Sequence, residues 1–284
     1  MTTDALRNPG PVVDLPADFA DWLTLREPAD AAARATDLVD RVRARLTGNP
    51  LVVHDLGCGT GSMGRWLAPL LPGPQHWILH DGDAGLLARA AADLPPAAAD
   101  GAPVTVETRR GDLTRLTAAD LAGASLVTAS ALLDMLTAEE VERVVAACAG
   151  RPVLFALSVV GRVRFDPVDA LDAEIAGAFN DHQRRTVGGR SLLGPDAVDV
   201  AAAAFVRHGA DVVLRPSPWR LGPKEPDLFE EWFAGWLDAA CEQRPELVGP
   251  AGAYARSRRA DVAAGRLSVL IDHRDLLALP TVNP

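Results

Sequence analysis

The sequence has few cysteines and no long apolar stretch, and each absence excludes a class of protein. Its three cysteines, Cys58, Cys148 and Cys241, are scattered and form no CxxC pair, which suits a reducing compartment better than a disulfide framework. The longest apolar run, Val153 to Val160, is too short to span a membrane. The first residues lack the apolar core of a signal peptide. We therefore expect a cytoplasmic protein.

Positive charge is also scarce. Asp and Glu number 38 against 28 Lys and Arg, which gives a net charge of −10 at pH 7. Such a chain repels phosphate backbones and anionic lipid surfaces, so we expect neither a nucleic-acid nor a membrane partner. The histidines show no HxH spacing, and the HxxxH of residues 76–80 falls within a predicted strand, where residues four apart lie about 13 Å from each other, so we predict no metal site.

From residue 51 onward, short apolar runs alternate with stretches of helical periodicity. Strand–helix alternation with connections of this length predicts an α/β fold with a parallel sheet. The run 152–160 is apolar at nearly every position, as expected of a central strand buried on both faces. The predicted strands are 51–56, 76–80, 104–108, 125–130, 152–160, 212–214 and 266–272.

The segments outside this alternation suggest how the chain is divided. Residues 1–48 indicate an N-terminal helical extension, because apolar residues at helical spacing predict one amphipathic helix over 29–47. Residues 49–284 then form the main domain. Two insertions within it, 161–194 after the fifth strand and 222–262 after the sixth, would cover the substrate.

The second insertion contains an aromatic helix face. Core packing is the simplest interpretation of this face, and a lid or a dimer contact is the alternative. The face consists of Phe229, Trp232, Phe233 and Trp236.

The strongest motif is VVHDLGCGTGS at residues 52–62, where a strand leads directly into a glycine turn. Glycine is needed where the backbone turns tightly and where its N–H groups approach a ligand. Two phases compete. GxGxxG from Gly59 to Gly64, with Asp81 about 20 residues on, is the dinucleotide pattern. D-x-G-x-G-x-G from Asp55 instead places Gly57 directly after the strand and fits it better.

In this second phase the sequence resembles the class I S-adenosylmethionine-dependent methyltransferases. Four stretches occur in the family's order: HDLGCGTG (54–61), ILHDGDAGLLARA (78–90), RRGDLTRL (109–116) and ASLVTASALLDML (124–136). The resemblance covers about residues 50–160 and extends loosely to the last predicted strand. It implies a Rossmann-like, seven-stranded, mostly parallel sheet with helices on both faces. It also implies S-adenosylmethionine as cofactor and S-adenosylhomocysteine as its product.

The resemblance further implies roles for residues at the strand ends. Asp55 would contact the cofactor's ammonium group, Asp81 both ribose hydroxyls, and Asp112 the adenine amino group. The glycine turn would meet the amino-acid part through its backbone. The predicted cofactor-binding residues are Asp55, Gly57, Cys58, Gly59, Gly61, Asp81, Gly82, Gly111, Asp112, Leu113, Ala129 and Ser130.

The acceptor side has weaker signals. Methyl transfer from a sulfonium is an in-line displacement, and a base helps only when the acceptor must lose a proton. We predict Asp134, after the fourth strand, and His182, whose ordinary pKa lies near neutrality, as catalytic residues. An arginine- and amide-rich block could hold an anion, with an exposed polar loop as the alternative. The predicted substrate-binding residues are Arg162, Asn180, Gln183 and Arg184.

The sequence thus predicts a methyltransferase for a small molecule, which can be anionic, with a homodimer as an allowed assembly. After the fourth strand the chain reads SALLDML, without the Pro-Pro-aromatic run of methyltransferases that act on DNA bases. Two alternatives stay open at this point. One is a nicotinamide-dependent oxidoreductase that uses GxGxxG, and the other is a non-catalytic binding protein that kept the cofactor fold.

Overall fold

The predicted strands form one sheet with helices on both faces. The computed structural model describes residues 19–281. The strands of the main sheet are β1 (Leu51–Leu56), β2 (Gln75–Asp81), β3 (Val104–Arg110), β4 (Leu126–Ser130), β5 (Val153–Asp166), β8 (Ala210–Pro216), β9 (Trp219–Leu221) and β10 (Ser268–Pro280). A separate hairpin pairs β6 (Thr186–Val187) with β7 (Arg190–Ser191).

Sheet topology brings the ends of the first strands together. The order is β3-β2-β1-β4-β5-β10-β8, with β9 paired to β10. Strands β1 to β5 are parallel where they neighbour one another, whereas β10 runs antiparallel to β5, β8 and β9. The predicted mostly parallel, Rossmann-like sheet is confirmed. Because β1 lies in the middle of the parallel part, the glycine turn that follows it opens beside the ends of β2 and β4.

Helices cover the sheet on two sides and build a cap at one end. They are α1 (Phe19–Ala33), α2 (Thr36–Arg43), α3 (Ser62–Leu67), α4 (Ala84–Ala92), α5 (Ala138–Cys148), α6 (Asp172–Gln183), α7 (Ala197–Arg207), α8 (Pro226–Gln243) and α9 (Val248–Ala263). Helices α5 and α7 pack on one face of the sheet, and α2, α3 and α4 on the other. A third apolar cluster joins α1, α6, α8 and α9 to β9 and to the far parts of β5 and β10.

The N-terminal extension differs from the prediction of one helix over 29–47. Two helices, α1 and α2, are separated by Arg34 and Ala35. The carboxylate of Asp275 on β10 accepts a hydrogen bond from the Ala35 backbone N–H at 2.8 Å, and Ala35 is extended (ψ 99°). This buried contact from a distant strand ends the helix, and no local periodicity encodes it. The part of the extension before residue 19 lies outside the described residues.

The segment 161–194 is also more regular than a polar loop. Strand β5 continues to Asp166, because β10 is long enough to pair with it as far as Ser268. Helix α6 follows, and it contains Asn180, His182 and Gln183 of the predicted arginine- and amide-rich block. Its buried residues Ile175 and Ala178 pack in the third cluster beside α8. The insertion therefore forms part of the cap through a partner helix that lies 50 residues further along the sequence.

Candidate cofactor and acceptor site

The glycine turn after β1 has a backbone that other residues rarely adopt. Gly57, Gly59 and Gly61 have positive φ angles of 62°, 54° and 88°. A Cβ on Gly61 would lie 3.0 Å from the backbone Cα of Ala90 on α4. The turn is fixed by two hydrogen bonds, from Cys58 N–H to the His80 carbonyl at 3.0 Å and from Gly61 N–H to the Cys58 carbonyl at 2.8 Å. Glycine is thus required here both for conformation and for close packing.

Asp81, at the end of β2, ties this turn to the next one. Its carboxylate accepts hydrogen bonds from the backbone N–H of Gly59 and of Asp83, each at 2.9 Å. Burial raises the pKa of Asp81, and these two hydrogen bonds oppose the shift. A carboxylate offers about four acceptor positions, so two stay free for the hydroxyl groups of a ligand. Asp81 lines the cavity described below, as its predicted role requires.

Asp55, at the end of β1, is a buried carboxylate with one unsatisfied oxygen. Its Oδ1 accepts a hydrogen bond from the Thr128 hydroxyl at 2.7 Å, whereas Oδ2 has no partner among residues 19–281. Burial raises the pKa of Asp55 to about 6, while Thr128 and the Arg34 guanidinium oppose the shift. A buried carboxylate with a free oxygen fits the cationic ammonium end of the cofactor, because such a partner would supply the missing interaction.

Other residues predicted to bind the cofactor differ in how directly they face the cavity. Cys58 and Ser130 line it. Burial raises the pKa of the Cys58 thiol, so this residue is a packing group rather than a nucleophile. Ala129 is buried in the core behind the site, and Leu113 lies near Gly57, with its Cδ1 3.4 Å from a Cβ placed there.

The residues after β3 lie at the same edge of the sheet but outside the cavity wall. The Gly111 N–H donates to the Asp81 carbonyl at 3.0 Å, and the Gly82 carbonyl accepts from Arg110 Nε at 2.9 Å. These contacts hold the ends of β2 and β3 side by side. Asp112 is exposed, and its Oδ1 accepts from the backbone and hydroxyl of Thr114. Its role with adenine stays a prediction.

One cavity of about 420 Å³ brings most of the predicted residues together. One part of its wall comes from the ends of β1, β2 and β4. The rest comes from α1, the far part of β5, the cap helices α6 and α8, and the pair β9 and β10. The predicted residues in this wall are Asp55, Gly57, Cys58, Gly59, Asp81, Ser130, Asp134, Arg162, Asn180 and Gln183. The size is that of a small-molecule site.

Asp134 lies in the short turn after β4 and lines the cavity. Burial raises its pKa to about 6, and Arg26 and Arg185 oppose that shift by their charge. A carboxyl group with this pKa is mostly ionised at neutral pH and is more basic than an ordinary aspartate. Such a group can therefore accept a proton from an acceptor's hydroxyl or amine.

The other predicted acceptor-side residues are engaged elsewhere. His182 is absent from the cavity wall, and its Nε2 lies 3.3 Å from Glu242 on α8. Arg184 forms an ion pair with Asp196 at 2.6 Å. Asn180 does line the cavity, although its amide donates to the Gly161 carbonyl at 2.8 Å. The catalytic role of His182 and the binding role of Arg184 therefore stay predictions without a supporting contact.

Sequence reasoning missed the residues of the N-terminal extension that reach the site. Arg34 is buried, and its guanidinium donates to the hydroxyls of Ser62 at 3.0 Å and Ser130 at 3.2 Å. Arg65 on α3 pairs with Glu27 of α1 at 2.5 Å. An amphipathic pattern predicts a helix but not what the helix covers.

The described residues contain neither a metal-binding cluster nor a membrane-spanning helix. Among residues 19–281, no group of three or more His, Cys, Asp and Glu side chains is arranged to hold a metal ion. None of the helices in this range combines the length and apolarity needed to cross a bilayer.

Comparison with known proteins gives a family match and several similar folds. Residues 53–151 match the family model described as "Methyltransferase domain". No curated protein matches the sequence.

Among solved structures, the chain is similar to a SAM-dependent methyltransferase from Geobacter sulfurreducens in complex with S-adenosyl-L-homocysteine. The identity is 18%, covering 94% of this chain and 99% of that one, with a TM-score of 0.44. It is also similar to the cyclopropane synthase MmaA2 from Mycobacterium tuberculosis, with 13% identity, coverage of 93% and 95%, and a TM-score of 0.47. DesVI of Streptomyces venezuelae has 16% identity, coverage of 93% and 98%, and a TM-score of 0.43.

The matched segment contains most of β1, the strands β2 to β4, the glycine turn, Asp55, Asp81 and Asp134. Residues 53–151 therefore match a methyltransferase domain, in agreement with the resemblance of the glycine turn to the class I S-adenosylmethionine-dependent methyltransferases.

Proposed function

We propose that this enzyme methylates a small molecule held between the glycine turn and the helical cap, with Asp134 as the base. The observation that carries the proposal is the cavity itself. Its wall contains the unpartnered carboxylate of Asp55, the glycine turn and the basic carboxylate of Asp134.

In this proposal the chain's own residues bind and orient. Asp55 holds the ammonium group of S-adenosylmethionine, Asp81 the ribose hydroxyls, and the glycine turn the amino-acid part. When bound, the cofactor supplies an electrophilic methyl group. The acceptor's oxygen or nitrogen would form the new bond to that carbon as the carbon–sulfur bond breaks and S-adenosylhomocysteine leaves, and Asp134 would take the proton released from the acceptor. The walls of the cavity exclude water and align the acceptor, which is a large part of catalysis in such a displacement.

An anionic acceptor has weaker support than expected. Among the described residues, Arg162 is the one arginine of the predicted arginine- and amide-rich block that lines the cavity. Its Nε lies 3.7 Å from Asp272. Arg164 pairs with the same carboxylate at 3.0 Å. The positive charge of these two arginines is thus already partly neutralised by Asp272.

The oxidoreductase alternative fits the turn less well. The first glycine of its pattern, Gly59, lies three residues beyond the end of β1 at Leu56, and Gly57 holds the position directly after the strand. Its third glycine, Gly64, is closely packed inside α3, where a Cβ would come within 2.6 Å of the Leu94 side chain, but such packing is compatible with either pattern.

The cytoplasmic setting and the homodimer remain part of the proposal. Three free cysteines, two of them buried, support the first. Light scattering of the purified protein tests the second.

Binding of S-adenosylhomocysteine to two neighbouring variants tests the cofactor site. Asp81→Asn weakens the affinity by at least about tenfold, because it removes charge-assisted hydrogen bonds to the ribose. Asp83→Asn serves as the matched control. Asp83 caps α4 by accepting from the Leu86 N–H, and asparagine caps helices equally well. Calorimetry that finds no binding to the wild-type protein, or equal losses in both variants, would refute the site.

A further inference from the structure

The cavity holds most of the chain's tryptophans. The whole sequence contains six tryptophans, seven phenylalanines and one tyrosine, and four of the six tryptophans line this one cavity. They are Trp22, Trp219, Trp232 and Trp236. Aromatic side chains provide large, flat contact areas, so their concentration here points to a flat ligand.

Two of these four rings already have a cation. The Arg26 guanidinium lies 5.7 Å from the ring centre of Trp22 and 4.9 Å from that of Trp219. Arg26 is in turn paired with Asp30 at 3.0 Å. The other two rings, Trp232 and Trp236, stack on each other with centres 5.5 Å apart and planes inclined by 22°. This pair on α8 has no cation over it among the described contacts.

Besides Asp55, three residues of the cavity wall carry a buried polar atom without a hydrogen-bond partner among residues 19–281. These atoms are Trp236 Nε1, Gln183 Oε1 and His273 Nδ1. Trp236 is only 2% exposed. An unpaired buried polar group is costly, so groups of this kind in a ligand site indicate where a ligand's polar atoms bind. The indole N–H can only donate, and it therefore requires an oxygen or nitrogen acceptor on the ligand.

Charge around these atoms favours an uncharged ligand. Burial lowers the pKa of His273 to about 3, so its imidazole is neutral and can donate or accept. The arginines in the cavity wall are matched by carboxylates, Arg26 by Asp30 and Arg162 by Asp272. Among the described residues of that wall, an anion would therefore meet no arginine without an acidic neighbour, and an ammonium group could not accept the Trp236 hydrogen bond.

Resting on the proposed function, we propose that the methyl acceptor is an uncharged, flat, mainly apolar molecule with an oxygen substituent. Its ring lies against Trp232 and Trp236, and its oxygen accepts a hydrogen bond from Trp236 Nε1–H, while Gln183 and His273 contact its other polar atoms.

Three probes with one ring system test the charge. The full-length protein is saturated with S-adenosylhomocysteine and titrated with 2-naphthol, 2-naphthoate or 2-naphthylmethylammonium, and binding is followed by calorimetry. We expect 2-naphthol to bind at least about tenfold more tightly than either ion, because a desolvated charge without a partner is costly.

The outcomes separate this inference from the proposed function. Tightest binding of the naphthoate would overturn the inference in favour of an anionic acceptor, and tightest binding of the ammonium compound would overturn it in favour of a cationic one. Binding of S-adenosylhomocysteine without any probe would overturn the inference and leave the proposed function intact. Failure of S-adenosylhomocysteine to bind would instead refute the proposed function.

Two ring-matched variants test the hydrogen bond. In the wild type, 2-naphthol binds more tightly than naphthalene. Trp236→Phe reduces that affinity ratio by about five- to tenfold, because it removes the N–H and keeps an aromatic ring. Trp232→Phe shortens a neighbouring ring and leaves the ratio unchanged. An unchanged ratio in Trp236→Phe overturns the assigned contact. Should that variant not fold, Gln183→Leu provides the second test with 2,7-dihydroxynaphthalene, whose second hydroxyl supplies a further polar atom, and an unchanged affinity ratio to naphthalene there counts equally against the inference.

Discussion

Asp55 combines a structural cost with a proposed binding role, and its ionisation sets how both depend on pH. Its folded-state pKa is about 6, against an ordinary value of 3.8. Between these two pH values the folded protein binds a proton that the unfolded chain has released. Stability therefore falls as pH rises through this window. In the proposed function, the cofactor's ammonium group supplies the missing charge and removes this cost.

The substitution Asp55→Asn tests this coupling. The free energy of unfolding of the wild type, minus that of the variant, falls by about 2 to 3 kcal/mol between roughly pH 4 and pH 7, since one pKa unit corresponds to 1.36 kcal/mol. Urea unfolding at several pH values measures both proteins, and the subtraction removes all other titrating groups. A difference that stays flat or rises with pH would contradict the pKa shift.

Asp134 gives a second expectation at the scale of one residue. If it is the base, kcat/KM falls below about pH 6, where this carboxylate becomes protonated. Asp134→Asn lowers kcat/KM by about 10²-fold and abolishes that acidic limb. S-adenosylhomocysteine affinity serves as the control, because Asp134 holds no part of the cofactor in the proposal. A variant with full activity would show that alignment alone drives the transfer.

Individual residues of the cofactor half could be predicted from the sequence because the motif is local. The turn from Gly57 to Gly61 lies within one continuous stretch, and Asp81 ends the next strand. The acceptor half could be predicted only in part. The sequence predicts Gln183 on α6 as a substrate-binding residue, whereas Trp236 on α8 and His273 on β10 meet it only through tertiary packing.

Among the elements, the cap depends on a buried guanidinium that joins α9 to the start of α6. Arg258 is 2% exposed, and it donates to Asp172 at 2.5 Å and to the Pro167 carbonyl at 2.7 Å. Its guanidinium also lies 4.8 Å from the ring centre of Phe165. The hydroxyl of Tyr254 donates to the same Asp172 carboxylate at 2.7 Å. This cluster fixes the beginning of the helix that carries Asn180 and Gln183.

Neighbouring arginines on α9 allow a matched comparison. Arg258→Met lowers the free energy of unfolding by about 3 kcal/mol, because it leaves a mostly buried carboxylate without its partner. Arg259→Met changes it by less than about 1 kcal/mol, since the ion pair of Arg259 with Glu230 is exposed. Chemical denaturation measures both variants. Similar losses in the two would mean that the buried cluster contributes no more than a surface pair.

The sequence predicted the central elements better than the outer ones. Strands β1, β2, β4 and β5 follow clear apolar runs, and the aromatic face of α8 is periodic. The break between α1 and α2 escaped prediction because Asp275, 240 residues away, causes it. The polar composition of α6 concealed a helix whose apolar contacts lie on a partner helix.

For the whole molecule, cofactor binding should be visible as thermal stabilisation. S-adenosylhomocysteine at one hundred times its dissociation constant adds about 2.7 kcal/mol, which corresponds to a rise in Tm of roughly 4 to 6 °C for a chain of this size. Differential scanning fluorimetry measures the shift, with NADH as the control ligand. A shift with NADH and none with S-adenosylhomocysteine would favour the nucleotide-dependent alternative.

Strand β10 has a consequence for the order in which the molecule assembles. Although it comes last among the described strands, it lies between β5 and β8 in the interior of the sheet. Its Asp275 accepts hydrogen bonds from the backbone of Ala35 and of Leu157, both at 2.8 Å. During synthesis, the early segments must therefore wait for residues 268–280 to leave the ribosome before these contacts form. Long-range closure of this kind slows folding, so the nascent chain is expected to need protection from aggregation until its final strand is inserted.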